Sequence, residues 1–286
     1  MHLLFLTQLA LASSLPPWEL VLSECKEGQQ ESCLEIALRF RDGKKAPIDI
    51  RHAHRILEQS CNEDYGPACR EWARAHRTGD GMKLQPFVAI DLYMKACKLS
   101  DGIACRELGD MYTIGEGMPL DPMSAFLWYD LACSHNDGFG CYEVGLHHEI
   151  GYGMGQTDLK QAHYYYKRSC QLRYGHGCTA HGSLFERGLG TEKSLKSAME
   201  LYDEGCGIQD GRGCSAYARA LLKTSKKNTN LAYLYFEKSC DKGDPSGCRE
   251  YGIYLEKHEP ERALSVFLRG CENGDTLSCK RVRKAQ

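Results

Sequence analysis

The stretch KACKLSDGIACRELGDMYTIGEGMPLDPMSAFLWYDLACSHNDGFGC, residues 95–141, sets two cysteines eight apart, Cys97 and Cys105, and repeats the spacing at Cys133 and Cys141. The spacing runs through the whole chain. All sixteen cysteines fall into Cys-x7-Cys pairs: Cys25/Cys33, Cys61/Cys69, Cys97/Cys105, Cys133/Cys141, Cys170/Cys178, Cys206/Cys214, Cys240/Cys248 and Cys271/Cys279. Successive pairs start 36, 36, 36, 37, 36, 34 and 31 residues apart. A fixed period in this range marks a solenoid, in which one supersecondary unit is stacked on copies of itself.

Aligning the repeats on their cysteines exposes two helices per period. Eight residues before the first cysteine stands Ala53, Ala89, Ala125, Ala162, Ala198, Ala232 or Ala263. Four and five before it stand bulky pairs such as Leu92-Tyr93, Trp128-Tyr129 and Tyr165-Tyr166. Offsets of −8, −4 and 0 share one face of a helix, here called helix B, so these rings are expected in the inter-helix core. After the second cysteine, position +4 is always small (Ala37, Ala73, Gly109, Gly145, Gly182, Ala218, Gly252), with apolar residues at +3 and often at +7. This is helix A. Glycine costs about 1 kcal/mol in a helix interior, so its retention implies close approach of another helix. Tyr164 and Phe126, at −6 and −7, are left freer for surface contacts.

The turns agree. Helix A ends in TGDGM, IGEGM, IGYGM and RGLGT, where glycine supplies a left-handed cap. No strand precedes these Gly-x-Gly dipeptides, so they are not read as phosphate cradles. Inside the cysteine pairs, Gly66, Gly102, Gly138, Gly175, Gly211 and KGDPSG (242–247) read as turn signals. In one continuous helix, residues eight apart lie about 12 Å from each other, beyond disulfide reach. With a turn between them, helix B of one repeat meets helix A of the next, and each pair closes a local bridge. Structural zinc prefers shorter cysteine spacings, and the redox pattern Cys-x-x-Cys is absent. The sixteen cysteines are therefore read as eight structural disulfides, with metal binding or free buried thiols as the alternatives.

An even cysteine count at regular spacing points to an oxidising compartment. The N-terminus MHLLFLTQLALASSLPP carries an apolar run from Leu3 to Ala12 followed by small residues. It is too short for a membrane span and fits a signal peptide at 1–14, although no Lys or Arg precedes the run. Residues 15–286 are expected to form a single solenoid domain with terminal capping helices. The net charge of −2 gives no basic face for nucleic acid. Localisation is expected to be periplasmic or secreted, with the mitochondrial intermembrane space as the alternative. No membrane span is expected in the mature chain.

The repeat ACRELGDMYTIGEGMPLDPMSAFLWYDLAC resembles a Sel-one-like repeat (SLR), a relative of the tetratricopeptide repeat. The matching positions are Leu108, Gly109, Tyr112, Gly115, Gly117, Asp121, Ala125, Trp128, Tyr129 and Ala132. Cysteines at both helix junctions resemble the secreted, cysteine-rich SLR proteins of Helicobacter. The resemblance covers roughly residues 20–286 and implies an all-α, right-handed α/α superhelical solenoid of about seven disulfide-stapled helix pairs. His76, His148 and His181 depart from it, occupying core-facing helix A positions where the family favours apolar residues.

The resemblance implies a scaffold that binds a protein or peptide on its concave face. Its alternative is a β-lactam or cell-wall ligand, as a penicillin-binding protein or weak β-lactamase. A third possibility is an assembly factor of the intermembrane space. Ser-x-x-Lys occurs at Ser23–Lys26 and Ser239–Lys242, but Ser-Asp-Asn and Lys-Thr-Gly are missing. His147 and His148 are adjacent and His52 and His54 are two apart, so neither pair converges on one side of a helix. No catalytic, cofactor-binding or metal-ligating residue is assigned.

Overall fold

The computed structural model describes residues 16–153, 155–225 and 228–285. The signal-peptide assignment at 1–14 lies outside them. Among the described residues the chain forms sixteen α-helices and no strand. They are α1 (Pro17–Lys26), α2 (Gln30–Asp42), α3 (Ile50–Asn62), α4 (Gly66–Thr78), α5 (Pro86–Lys98), α6 (Gly102–Ile114), α7 (Pro122–Ser134), α8 (Gly138–Ile150), α9 (Leu159–Gln171), α10 (Gly175–Arg187), α11 (Leu195–Gly207), α12 (Gly211–Thr224), α13 (Thr229–Asp241), α14 (Pro245–His258), α15 (Pro260–Glu272) and α16 (Thr276–Ala285). Helices α2 to α15 make seven A/B pairs, with a leading B-type α1 and a closing A-type α16. The chain divides into two compact units, Met1–His135 and Asn136–Gln286, and within each the helices pack on their sequence neighbours as a solenoid.

Local chemistry sets the helix ends. Helix B starts behind a side-chain cap at Asp49, Asp121, Asp158 and Ser194, and proline occupies the first turn of α5, α7 and α15. Helix A stops at Gly43, Gly79, Gly115, Gly151 and Gly188, all left-handed with φ between 67° and 72°.

The core is one contact repeated. The −8 alanines from Ala53 to Ala232 are fully buried, and the −4 rings Tyr93, Tyr129, Tyr166, Tyr202, Phe236 and Phe267 expose 3% or less. Each ring faces the small +4 residue of helix A. A Cβ at Gly109 would stand 2.6 Å from the Tyr129 ring, at Gly145 2.6 Å from Tyr166, at Gly182 2.8 Å from Tyr202 and at Gly252 2.6 Å from Phe267. The −5 residues behave differently. Trp128, Tyr165 and Tyr235 are only half-buried, because their offset turns them to the core's margin.

The B-to-A junction brings the paired cysteines together. Cα–Cα distances are 4.3–4.9 Å in the bridges Cys25–Cys33, Cys61–Cys69, Cys97–Cys105, Cys170–Cys178, Cys206–Cys214, Cys240–Cys248 and Cys271–Cys279. Cys133 and Cys141 are disulfide-bonded as well, and no free cysteine remains. The turn itself is made three residues after the first cysteine. There Gly28, Asp64, Ser100, Asn136, Arg173, Gln209, Gly243 and Gly274 are left-handed, with φ from 61° to 94°. The reading of Gly66, Gly138, Gly175 and Gly211 as turn formers is thereby corrected. They open helix A at negative φ, and they are glycine because the following junction abuts them. A Cβ there would meet Leu99 at 3.3 Å, Tyr174 at 2.8 Å, Asp210 at 2.8 Å and Asp244 at 2.9 Å respectively.

Two measurements check this packing. Intact mass of the unreduced protein should fall sixteen hydrogens below the fully reduced value, one for each cysteine; any alkylatable thiol in the folded protein contradicts that. Gly145→Ala should lower stability by about 1–3 kcal/mol through overpacking against Tyr166. In a Tyr166→Leu background most of that increment should vanish from the urea melt.

Candidate functional site

The A helices α8, α10, α12 and α14 approach one another more closely than successive B helices do, as α4 and α6 do in the first unit, and this marks the A-helix side as the inner side; α14 and α16 approach no more closely than the B helices α13 and α15. Positions +1, +5 and +8 after the second cysteine form the stripe that reaches the next A helix. The two units fill this stripe with different chemistry.

In the first unit the stripe is a lattice of ion pairs on α2, α4, α6 and the loop that follows α6. Arg41 reaches Glu71 at 3.2 Å, Arg74 reaches Glu71 at 2.8 Å and Glu107 at 3.0 Å, and Arg77 reaches Glu107 at 2.6 Å and Glu116 at 2.8 Å. Glu71 is buried under these guanidiniums. Every arginine named here has a carboxylate, so the surface presents little free charge.

In the second unit the inner stripe is more open. Tyr166 donates to Glu149 at 2.9 Å, and Arg187 of the next A helix pairs with the same carboxylate at 2.8 Å. Tyr202 and Lys223 hold Glu186 in the same way, at 2.7 and 2.6 Å. Burial pushes the Glu186 carboxyl up, but the Lys223 ammonium and Tyr202 hydroxyl outweigh it and hold its pKa below the ordinary range. Between these rungs lie half-buried Leu146 and Ser183, exposed Leu222, and exposed Arg219, which forms no ion pair among the described residues. Leu146, Ser183, Arg219 and Leu222 make a mixed apolar, hydrogen-bonding and cationic surface.

A second lock runs along the junctions, and the sequence reading missed it. Aspartates four before the second cysteine cap helix A: Asp101 accepts from Ala104 N–H at 2.9 Å, Asp137 from Gly140 at 2.6 Å, Asp244 from Gly247 at 3.1 Å and Asp275 from Ser278 at 2.7 Å. The +1 residue of the preceding repeat then donates to that carboxylate. Arg70 binds Asp101 through both oxygens at 2.9 and 2.7 Å, Thr179 reaches Asp210 at 2.6 Å, and Arg249 reaches Asp275 at 2.7 Å. The signal was present in the Asp-Gly dipeptides, which read equally well as turns.

The histidines are used structurally. His76 is buried against Trp72, with Nδ1 3.0 Å from Gln85 Oε1. The expectation that His148 faces the core is corrected. Its neighbour His147 is the buried ring, with Nδ1 donating to Tyr152 O at 3.0 Å, while His148 is half-buried and stacks on Tyr165. His181 and His163 form a directed chain. His163 Nε2 donates to Leu189 O at 2.9 Å, so its Nδ1 must accept from His181 Nε2 at 3.1 Å. His181 Nδ1 then remains a buried acceptor without a hydrogen-bond partner. Among the described residues the one grouping with metal-ligand geometry is Cys170, Cys178 and Glu204, and its two sulfurs are bonded to each other.

Neither Ser-x-x-Lys has an activated nucleophile. Ser239 is fully buried, its hydroxyl 2.8 Å from Gly211 O and 2.9 Å from Asp244 Oδ2, while Lys242 is turned to Gln209. Gly247 packs directly on Ser239, since a Cβ on Gly247 would stand 2.4 Å from the Ser239 Cβ. Ser23 and Lys26 are both exposed on α1.

Burial, then the neighbouring His163 and Lys167, pushes His181 down to about 4. A depressed histidine pKa means that the folded state resists protonation, so stability is intact above the unfolded value near 6.5 and is lost as pH falls toward 4. Stability measured by urea melts should therefore fall by up to about 3 kcal/mol between neutral pH and pH ~4 from this group. His181→Gln keeps a donor for His163 without titrating and should flatten that limb. An unchanged profile would show that His181 is not the responsible group.

The Sel1 repeat model matches residues 30–65, 66–101, 102–137, 138–174, 175–206 and 215–244. No curated protein matches the chain. Among solved structures, a Sel1 repeat protein from Oxalobacter formigenes is similar at 14% identity and TM-score 0.73, over 94% of this chain and 80% of that one. A protein of SLR fold from Escherichia coli, a protective antigen of uropathogenic strains, is similar at 18% identity and TM-score 0.70. That match covers 90% of this chain, which spans only 56% of the E. coli chain. Helicobacter pylori cysteine-rich protein B shares 26% identity over 44% of this chain and 94% of its own, at TM-score 0.36. With six matched repeats covering most of its length, the chain belongs to the Sel1 repeat family.

Proposed function

We propose that this chain is a disulfide-stapled scaffold that binds a protein or peptide partner on the inner face of its A helices, without catalysing a reaction. Sel1 repeats generally mediate protein interactions. The observation that carries the reading is the contrast between the two inner faces. In the first unit the arginines are neutralised by neighbouring carboxylates, whereas the second unit offers Leu146, Ser183, Arg219 and Leu222 to a partner. Such a surface, apolar at its centre with scattered polar groups, suits an extended segment better than a small rigid ligand.

The compartment follows from the cysteines. A chain whose sixteen cysteines are all oxidised belongs in an oxidising compartment, and no described helix is long and apolar enough to cross a membrane. In this proposal residues 1–14 direct export, residues 15–286 work as one solenoid domain, and the protein acts in a periplasm or outside the cell. The intermembrane space is the competing location, distinguished by whether the N-terminus is cleaved on secretion.

A displayed library of random twelve-residue peptides, panned against the oxidised protein, should enrich binders of micromolar affinity. Ser183→Arg with Leu222→Glu should weaken the selected peptides about tenfold or more without changing the melting temperature. Enrichment of no peptide, or of peptides indifferent to both substitutions, would remove the inner face from consideration.

A further inference from the structure

We infer that the last inner groove of the second unit, between α14 and α16, binds an extended acidic segment of a protein partner in which acidic and apolar residues alternate. The inference rests on the reading of the inner face as a peptide site and names the partner's chemistry. The groove is a cleft of about 610 Å³ walled by Arg249, Ile253 and Glu256 on α14 and by Leu277, Lys280, Arg281 and Lys284 on α16. The spacing i, i+4, i+7 on α14 brings its three residues onto one side of the helix.

The charges in the groove are not equivalent. Arg249 is held by Asp275 at 2.7 Å, and Arg281 is paired with Glu256 while its guanidinium lies 5.5 Å over the Phe267 ring. Among the described residues Lys280 and Lys284 have no such partner, and both are exposed. This reverses the inner stripe of the first unit, where arginine meets carboxylate throughout. Among the described residues the groove therefore carries a net positive charge, with Lys280 and Lys284 in excess over its carboxylates.

The apolar residues and the spacing decide what kind of anion fits. Leu277 is 49% exposed and Ile253 half-buried, on opposite walls. Lys280 and Lys284 are one helical turn apart, about 6 Å along the axis, close to the roughly 6.6 Å between alternate residues of an extended chain. Acidic residues two apart would face the lysines on α16, and the residue between them, pointing the other way, would face Ile253 on α14. A nucleic acid is disfavoured because Glu256 lines the same cleft, Arg249 is already engaged by Asp275, and the chain as a whole is acidic at −2.

The test uses the full oxidised protein and a fluorescein-labelled heptapeptide of alternating glutamate and valine, read by fluorescence anisotropy. Micromolar binding is expected, lost for the matching glutamine–valine peptide and weakened about tenfold by Lys280→Glu with Lys284→Glu. It should also weaken severalfold between low salt and ~0.5 M salt. Ile253→Asp should weaken it independently of the lysines, and Lys196→Glu, far along the chain on helix B, should leave it unchanged. Absence of binding, or binding indifferent to the lysine reversals, overturns the inference. So does equal affinity for an oligothymidylate, which would mark an unselective polyanion surface. If the peptide library enriches only neutral sequences that Ser183→Arg blocks, the inner-face reading stands and this assignment falls. If the library enriches nothing while the acidic heptapeptide binds, this groove stands apart from that reading.

Discussion

The turn from helix B into helix A is the constraint on which the rest of the structure depends. In a solenoid each repeat touches only its neighbours, so errors in the angle between successive helices accumulate unless every junction is fixed locally. Here every junction carries a disulfide, and two further contacts reinforce some of them. A disulfide closes a loop of about nine residues, worth roughly 2.5 kcal/mol in the chain-entropy description. A glycine at the start of helix A lets the following junction close on it, as at Gly175 against Asp210 and Gly211 against Asp244. The aspartate cap of the next helix A is held from the preceding repeat by Arg70, Thr179 or Arg249. The contact between a ring and the small residue facing it can then recur from pair to pair, as it does at Tyr129, Tyr166, Tyr202 and Phe267.

Most of this architecture was legible in the sequence, because the cysteines supply an exact register. With the register known, the −8 alanine, the −4 ring and the +4 small residue are visible by inspection, and all three sit where helical periodicity puts them. Two readings failed for identifiable reasons. Gly66 and Gly138 follow polar residues, so they look like turn formers, whereas the left-handed residues are Asp64 and Asn136. Asparagine and aspartate tolerate that conformation, and the rigid closure of the loop allows even Arg173 and Gln209 to take it. The second failure was to treat the −4 and −5 rings as one class. A helix advances 100° per residue, so if Tyr166 points at Gly145, Tyr165 cannot, and it stacks on His148 instead.

The candidate site was far less legible, and the reason is physical. The core positions are defined by contacts that every repeat shares, but the inner stripe is defined by differences between repeats. Reading Glu71, Arg74 and Glu107 as a lattice requires knowing that +2 and +5 of consecutive helices meet across α4 and α6. Nothing in the local sequence around Lys280 and Lys284 distinguishes them from the solvated end of a helix. What distinguishes them is the facing wall, Arg249 to Glu256, which lies about thirty residues earlier and whose charges are already engaged.

The rigidity of the frame bears on what such a face can do. Ordering a flexible surface on binding costs free energy that must come out of the contacts made, so a surface set in advance binds more tightly for the same area. Short local bridges suit this purpose. A disulfide between distant repeats would restrain the ensemble only at its two ends, whereas a bridge at a B-to-A turn restrains the two helices it joins. The same economy argues against chemistry at the buried polar groups. Ser239, Asp244 and Asp210 are each committed to a junction, and His181 and His163 to one hydrogen-bond chain. Using any of them as a nucleophile or base would open the contact that holds two repeats together. In this fold the side chains free to meet a partner are those the packing does not need, and on the A-helix stripe Leu222 and Lys280 are among them.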